Sequence, residues 1–424
     1  MSLLKKKLAE ALPAKVEAIK KMLKENGDKV VSEVTLAQAY GGMRGVKSLV
    51  CDTSEVPPQK GLMIRGIELA ELTDKLPEEI LFLLLTGSLP NEEEMSDLHN
   101  ELKSREDVPE YVWNVIDNMP AESHPMAMFN TAILVMQNES VFAKKYDEGI
   151  AKSDYWEYML EDALNIIAKL PAIAAYVYRK RFNKGPRIES NKDADWSKNY
   201  VHMLGFDDPQ DKFAQLMRVY LTAHTDHEGG NVSAFSAGTI NSALSDLYYS
   251  LSGGLNGLAG PLHGLANQEC LKWVLSTMDK FGGVPTEEDI EKYAWETLNA
   301  GRVIPGYGHA VLRVTDPRFT AFHKFGVEHC SDDPVFQTVD RVFKVVPEVL
   351  KQIEKIKNPW PNVDAGSGSL LYHFGLKEFS YYTVLFSVSR SIGIAAQTIT
   401  ARAYGMPITR PKSLPTSKFQ EMVK

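Results

Sequence analysis

Four glycine- and proline-punctuated stretches concentrate the residue types that do acid–base chemistry. The first is His224-Thr-Asp-His-Glu-Gly-Gly-Asn231. Two histidines three apart can share a metal on one helical face, but the order H-x-x-H-E matches neither zincin arrangement, and the Gly-Gly pair ends any helix there. A metal pair, a polar structural loop and a histidine that binds an anionic or carbonyl group all remain open readings. The second is Asn256-Gly-Leu-Ala-Gly-Pro-Leu-His263-Gly-Leu-Ala-Asn-Gln268, which sets His263 at the mouth of an expected helix over Leu265–Phe281. The positive end of a helix disfavours imidazolium, and a neutral imidazole there can donate a hydrogen bond to a carbonyl oxygen. A histidine that only caps or packs is the alternative.

The third stretch is Arg302-Val-Ile-Pro-Gly-Tyr-Gly-His309-Ala-Val-Leu-Arg313-Val-Thr-Asp-Pro-Arg318. Its glycines allow a ligand near the backbone, and arginine forks match carboxylate or phosphate oxygens. The fourth is Asn358-Pro-Trp-Pro-Asn362-Val-Asp364-Ala-Gly-Ser-Gly-Ser-Leu-Leu371, where Asp364 is either a helix N-cap or a carboxylate base in a dry loop. Arg390 interrupts the apolar Ser380–Ala403 run, so it needs an anion, from the protein or from a ligand. An aspartate base and a neutral histidine suit proton removal beside a carbonyl, and arginines suit a dicarboxylate electrophile. No G-x-S-x-G elbow, P-loop or G-x-G-x-x-G after a strand occurs, and the three cysteines lack a nucleophile context.

These stretches must be held by helices. Apolar residues recur at helical spacing over residues 4–25, Asp162–Tyr178, Gln210–Ala223, Leu265–Phe281, Glu287–Leu298, Val335–Ile356 and Ser380–Ala403, and Pro77 opens a helix through Ile80–Leu85. Strand signals are confined to Lys47–Cys51 with Met63–Ile64, so a mainly α protein is expected. The 424 residues suggest two or three domains, and a net charge of −8 argues against a nucleic-acid binder. Cys51, Cys270 and Cys330 are too few for a disulfide framework. No apolar leader stands at the N-terminus and no membrane anchor is expected, so the expectation is cytoplasmic residence, or the mitochondrial matrix if a leader was removed.

The chain resembles the citrate synthases of mitochondria and some bacteria. The likeness runs from Tyr40-Gly-Gly-Met-Arg-Gly45 through Asp226-His-Glu-Gly-Gly-Asn-Val-Ser233, Gly257–Glu269, Gly306–Arg318 and Asn358–Leu371 to Arg410-Pro-Lys-Ser413. It implies an all-α homodimer, with a large domain of residues 1–264 and 376–424 and a smaller mobile domain of residues 265–375. It implies condensation of acetyl-CoA with oxaloacetate, then hydrolysis of citryl-CoA; 2-methylcitrate synthesis from propionyl-CoA is the close alternative. By resemblance His263 holds the enol, His309 polarises the oxaloacetate ketone and Asp364 removes the methyl proton. His227, His309, Arg318 and Arg390 would hold oxaloacetate, with Arg410 supplied by the partner subunit. Coenzyme A would meet Arg44, Val303, Ile304, Gly306, Tyr307, Gly308, Arg313 and Asn362, with Lys152 a looser match. No metal or further cofactor is implied. The sequence departs from the family at Gly366, where many relatives carry histidine, and in a shorter segment around Thr73–Glu78.

Overall fold

Tyr382–Ala403 forms one helix whose residues are nearly all buried. In the computed structural model, which describes residues 2–309 and 311–424, this helix packs on Tyr155–Arg181, on Val232–Ser242 and on Leu247–Leu258. The stretch Phe379–Ala403 is long and apolar enough to cross a membrane, yet it is mostly enclosed by protein, as a core helix is. Tyr155–Arg181 extends well beyond the expected Asp162–Tyr178, because Trp156, Met159 and Leu160 continue its buried face. Leu3–Asn26, Pro77–Thr86 and Lys212–Ala223 match the expected helices within a few residues.

A second group of helices packs largely on itself: Ala266–Phe281, Glu287–Asn299, Pro317–His329, Pro334–Lys351 and Asp364–His373. Pro317–His329 touches Lys212–Ala223 and the short turn Leu69–Glu71, which joins this group to the rest. The protein is therefore all-α, as expected, apart from a small antiparallel meander of Ser54–Glu55, Met63–Ile64 and Ile67–Glu68.

The expected strand over Lys47–Cys51 is not there; the partner of Met63–Ile64 is Ser54–Glu55. The reason is anchoring. Thr53 and Ser54 donate their hydroxyls to buried Asp226 at 2.5 and 2.9 Å, and Val56 N–H donates to Glu228 at 2.8 Å. Leu49 and Val50, whose apolar character suggested the strand, lie exposed. Val30, Val31, Val34, Ile408 and Leu414 are exposed too, so both terminal segments present apolar side chains left uncovered among the described residues.

Candidate active site

The loop from His224 to Asn231 is built around two buried groups. Asp226 accepts hydrogen bonds from Thr53, Ser54 and Gln397 and from the backbone N–H of His227. Arg390, 1% exposed, donates from Nε to the His224 carbonyl at 3.0 Å and from Nη1 to Asn231 Oδ1 at 3.2 Å. Its guanidinium carbon lies 4.7 Å from the centre of the Phe386 ring. Among the described residues no carboxylate comes within salt-bridge distance of Arg390. Burial pushes its pKa down to about 10 despite the pull of Asp226. Such a cation is costly to bury unpaired, so the sequence question about its anion is answered against a protein partner.

The His227 side chain faces the same space. Its Nε2 is buried and has no hydrogen-bond partner among the described residues. Burial, then the cations Arg318 and Arg390, hold its pKa well below the usual histidine value. The His309 ring lies 5.7 Å from it, centre to centre. His309 Nδ1 accepts two backbone N–H bonds, from Val311 and Leu312, both at 3.0 Å. This fixes the tautomer, leaving Nε2–H as a donor. Burial and Arg318 push the His309 pKa down to about 4, so the ring is a neutral donor at pH 7.

Arg318 donates from Nε and Nη2 to both oxygens of Asp316, the closest contact being 2.6 Å. Asp316 also caps the Pro317–His329 helix. Burial opposes its charge, but the guanidinium wins and keeps the carboxyl below its usual range. The pair fixes the fork and leaves Nη1 without a partner among the described residues.

The ring of His263 finds its partner on a different helix from the one that follows it. Its Nε2 faces the start of Val232–Ser242, where Ser233 offers a backbone N–H at 3.4 Å and a hydroxyl at 2.9 Å. The backbone N–H can only donate, so that contact assigns the ring proton to Nδ1. Burial, helped by Arg390, pushes its pKa down to about 4. The ring is therefore neutral at pH 7, with burial as the main cause. Ser233 was not singled out from sequence, although Asn231, the N-cap of that helix, marks the spot.

Asp364 is the first residue of Asp364–His373 and Val363 holds the N-cap position; among the described residues the Asp364 carboxylate accepts no capping hydrogen bond. The N-cap reading therefore fails. Asn362 supplies the local cap instead, its Oδ1 accepting the Asp364 N–H at 3.0 Å. Burial drives the Asp364 pKa up to about 6, with Asp316 adding and Arg318 opposing. Gly366 backs onto Phe319 and Phe322, where a Cβ would sit 3.2 and 3.3 Å from their side chains, so a histidine there would have to displace those rings.

The loop expected to cradle coenzyme A is laced to the segment that carries Asp364. Gly308 N–H donates to the Trp360 carbonyl at 2.9 Å, Asn362 N–H to the Gly306 carbonyl at 2.9 Å, and Asn362 Nδ2 to the Gly308 carbonyl at 3.0 Å. Both ends of the Asn362 amide are thus used by the protein. Tyr307 pairs with Pro361. Gly306 has φ +81°, and a Cβ there would lie 2.7 Å from Cys270 Sγ, so only glycine fits. Ile304 is buried, whereas Val303 and Arg313 are exposed. Arg44, Lys152 and Arg410 are exposed, and none bonds to the cluster. Of the expected residues, His227, His263, His309, Arg318, Arg390 and Asp364 lie in one electrostatically coupled group. Two open cavities, of about 660 and 510 Å³, lie elsewhere, both lined in part by Tyr404, and in the second Lys15 pairs with Asp52 at 3.0 Å. No group of three metal-ligating side chains occurs among the described residues, and His224, buried with Nδ1 on the Tyr220 carbonyl, is structural.

A family model described as citrate synthase, C-terminal domain, matches residues 42–412. The mitochondrial 2-methylcitrate synthase of Yarrowia lipolytica is 50% identical, covering 99% of this chain and 92% of its own. The mitochondrial citrate synthase of Saccharomyces cerevisiae is 48% identical, covering 99% of this chain and 90% of its own. The crystal structure of citrate synthase from Pyrobaculum aerophilum matches with a TM-score of 0.79 at 26% identity, covering 91% of this chain and 95% of that one.

Proposed function

Since this chain belongs to the citrate synthase family, an enzyme family of acyl transfer, we propose that the cluster around Arg390 condenses acetyl-CoA with oxaloacetate. The observation that carries this reading is the buried Arg390, without an acid partner, beside the orphaned Nε2 of His227. A dicarboxylate would supply the missing partners, on Arg390 and on the free Nη1 of Arg318. The Nε2–H of His309 would then point at the ketone and make its carbon electrophilic.

Asp364 takes a proton from the acetyl methyl group while His263 donates from Nδ1 to the thioester oxygen, so the enol forms without a free enolate. The enol carbon attacks the ketone while the enol proton returns to His263 Nδ1 and the thioester carbonyl re-forms; the new alkoxide takes its proton from His309, and the proton held by Asp364 balances the one that His309 gives up. Water then cleaves citryl-CoA to citrate and the free thiol. A base with a pKa near 6 is better matched to a weak carbon acid at pH 7 than an ordinary carboxylate, and it remains mostly ionised.

Coenzyme A is read as a substrate, held by Val303, Ile304, Gly306, Tyr307, Gly308 and Arg313, with Asn362 bracing that loop and Arg44 reaching the phosphates. The scheme uses no metal or resident cofactor. We assign residues 265–375 to a mobile small domain and the rest to a large one, supported by the way the five helices from Ala266 to His373 pack on one another. The exposed apolar terminal segments support a homodimer in which Arg410 of each chain enters the partner's site. The mitochondrial names of the relatives support residence in that organelle over the cytoplasmic expectation.

Propionyl-CoA is the competing donor, because one relative of similar identity is named a 2-methylcitrate synthase. One methylene is worth only ~1–3 kcal/mol of discrimination. Thiol release measured with each acyl-CoA and oxaloacetate tests the reading. A higher kcat/KM for acetyl-CoA is expected; a preference for propionyl-CoA would overturn the choice of donor, and no release with either would overturn the reaction.

A further inference from the structure

One buried amide beside the site has no part in the chemistry above. Asn267, 4% exposed, is the second residue of Ala266–Phe281 and follows His263 by four. Its Nδ2 donates to Ser367 Oγ at 2.6 Å, in the helix that begins at Asp364. Its Oδ1 is buried with no partner among the described residues. Turning the amide over would only exchange which end is orphaned. A buried polar atom without a partner is costly, so for stability alone a leucine of similar volume would be the better choice here. The opposing helix is also thinned to receive the amide: a Cβ on Gly368 would lie 2.3 Å from Oδ1. A glycine inside a helix weakens it, so two stability costs meet at one contact.

We propose that Asn267 is a positioning residue, whose bond to Ser367 sets the span between His263 and Asp364. The two residues belong to separate stretches of chain, about a hundred positions apart. Each sits less than two helical turns from one member of the acid–base pair. The bond thus clamps the helix behind His263 to the helix that carries Asp364, and Gly368 allows the two backbones to come close enough for it. This inference rests on Asp364 being the base.

The test uses the full-length enzyme with Ser367→Ala and Asn267→Leu. Both are expected to lower kcat by roughly 10–100-fold, the cost of misplacing a reacting group by about an ångström. Oxaloacetate affinity should stay within about twofold. Asn267→Leu should hold or raise thermal stability, whereas Ser367→Ala, which leaves both ends of the buried amide without a partner, should lower it modestly. The acid limb of the kcat profile should move to lower pH, because a loosened Asp364 admits water and loses part of its burial. Ser367→Thr, which keeps the hydroxyl, should retain activity. Unchanged kcat and an unchanged acid limb in both variants would overturn the inference and leave Asn267 as a packing residue. If Asn267→Leu does not fold, Ser367→Ala decides the matter alone. A fully active Asp364→Asn enzyme would instead remove the base, and with it the purpose of the clamp; normal Ser367→Ala with inactive Asp364→Asn would sink the clamp alone.

Discussion

Replacing Asp364 by asparagine keeps the size of the side chain and removes both its charge and its ability to take a proton. Two consequences follow with opposite signs. Turnover should fall by at least ~10²-fold, the lower range for losing a general base. Stability should rise. The folded-state pKa of Asp364 is pushed up to about 6, above the value of about 3.9 in an unfolded chain. The ionised form is therefore disfavoured by folding. That penalty is complete above pH 6, shrinks as pH falls between the two values and is gone below pH 4. About two pH units at 1.36 kcal/mol each give an upper bound of about 3 kcal/mol, and partial solvent access to the carboxylate reduces this to about 1–2 kcal/mol. The thermal midpoint at pH 7.5 should rise by about 1–3 °C, with about half of that gain left at pH 5. The assays are thiol release with a chromogenic disulfide and calorimetry at both pH values. Wild-type turnover should also decline tenfold per pH unit below about 6, as the base becomes protonated. An active variant would refute the base. A variant that loses activity and stability together would show that Asp364 serves the fold.

Two further outcomes follow from the assembly and from the two helix groups. Mixing inactive Arg410→Ala with inactive His263→Ala protein should restore part of the activity, since a mixed dimer holds one site with neither defect; no recovery after proven subunit exchange would keep Arg410 out of the neighbour's site. Oxaloacetate alone should compact the protein in solution scattering and tighten acetyl-CoA binding, with the reciprocal effect required by linkage, because Arg318 and His309 lie in one helix group and His227 and Arg390 in the other; equal acetyl-CoA affinity with and without it would refute ordered closure.

The helices were legible because their apolar faces repeat at helical spacing, and this held even for long segments such as Tyr382–Ala403. Their ends were less so. Tyr155–Arg181 begins seven residues before the expected start, where tertiary packing rather than local pattern keeps Trp156 and Met159 buried. The misplaced strand has the same origin. Lys47–Cys51 is apolar enough, but the hydroxyls of Thr53 and Ser54 are drawn to Asp226, more than 170 residues away in sequence, and they set the register.

For the site, residue type and spacing marked the histidines of three glycine-rich loops, Asp364 and Arg390 as candidates for chemistry, with capping and packing left open for each. The resemblance then assigned them roles. Sequence could not say which partner each group would find. Asp364 looked like a cap, and only the fold shows Asn362 doing that work and the carboxylate left in a poorly solvated place. His263 was expected to owe its neutrality to the helix after it, but Ser233 on another helix faces its ring. Arg390 was known to need an anion, and only the fold shows that no carboxylate among the described residues lies within salt-bridge distance of it. Charge state and orientation depend on burial and on neighbours distant in sequence, so they are decided by tertiary structure; the kinds of atoms available for the reaction are decided by the sequence itself.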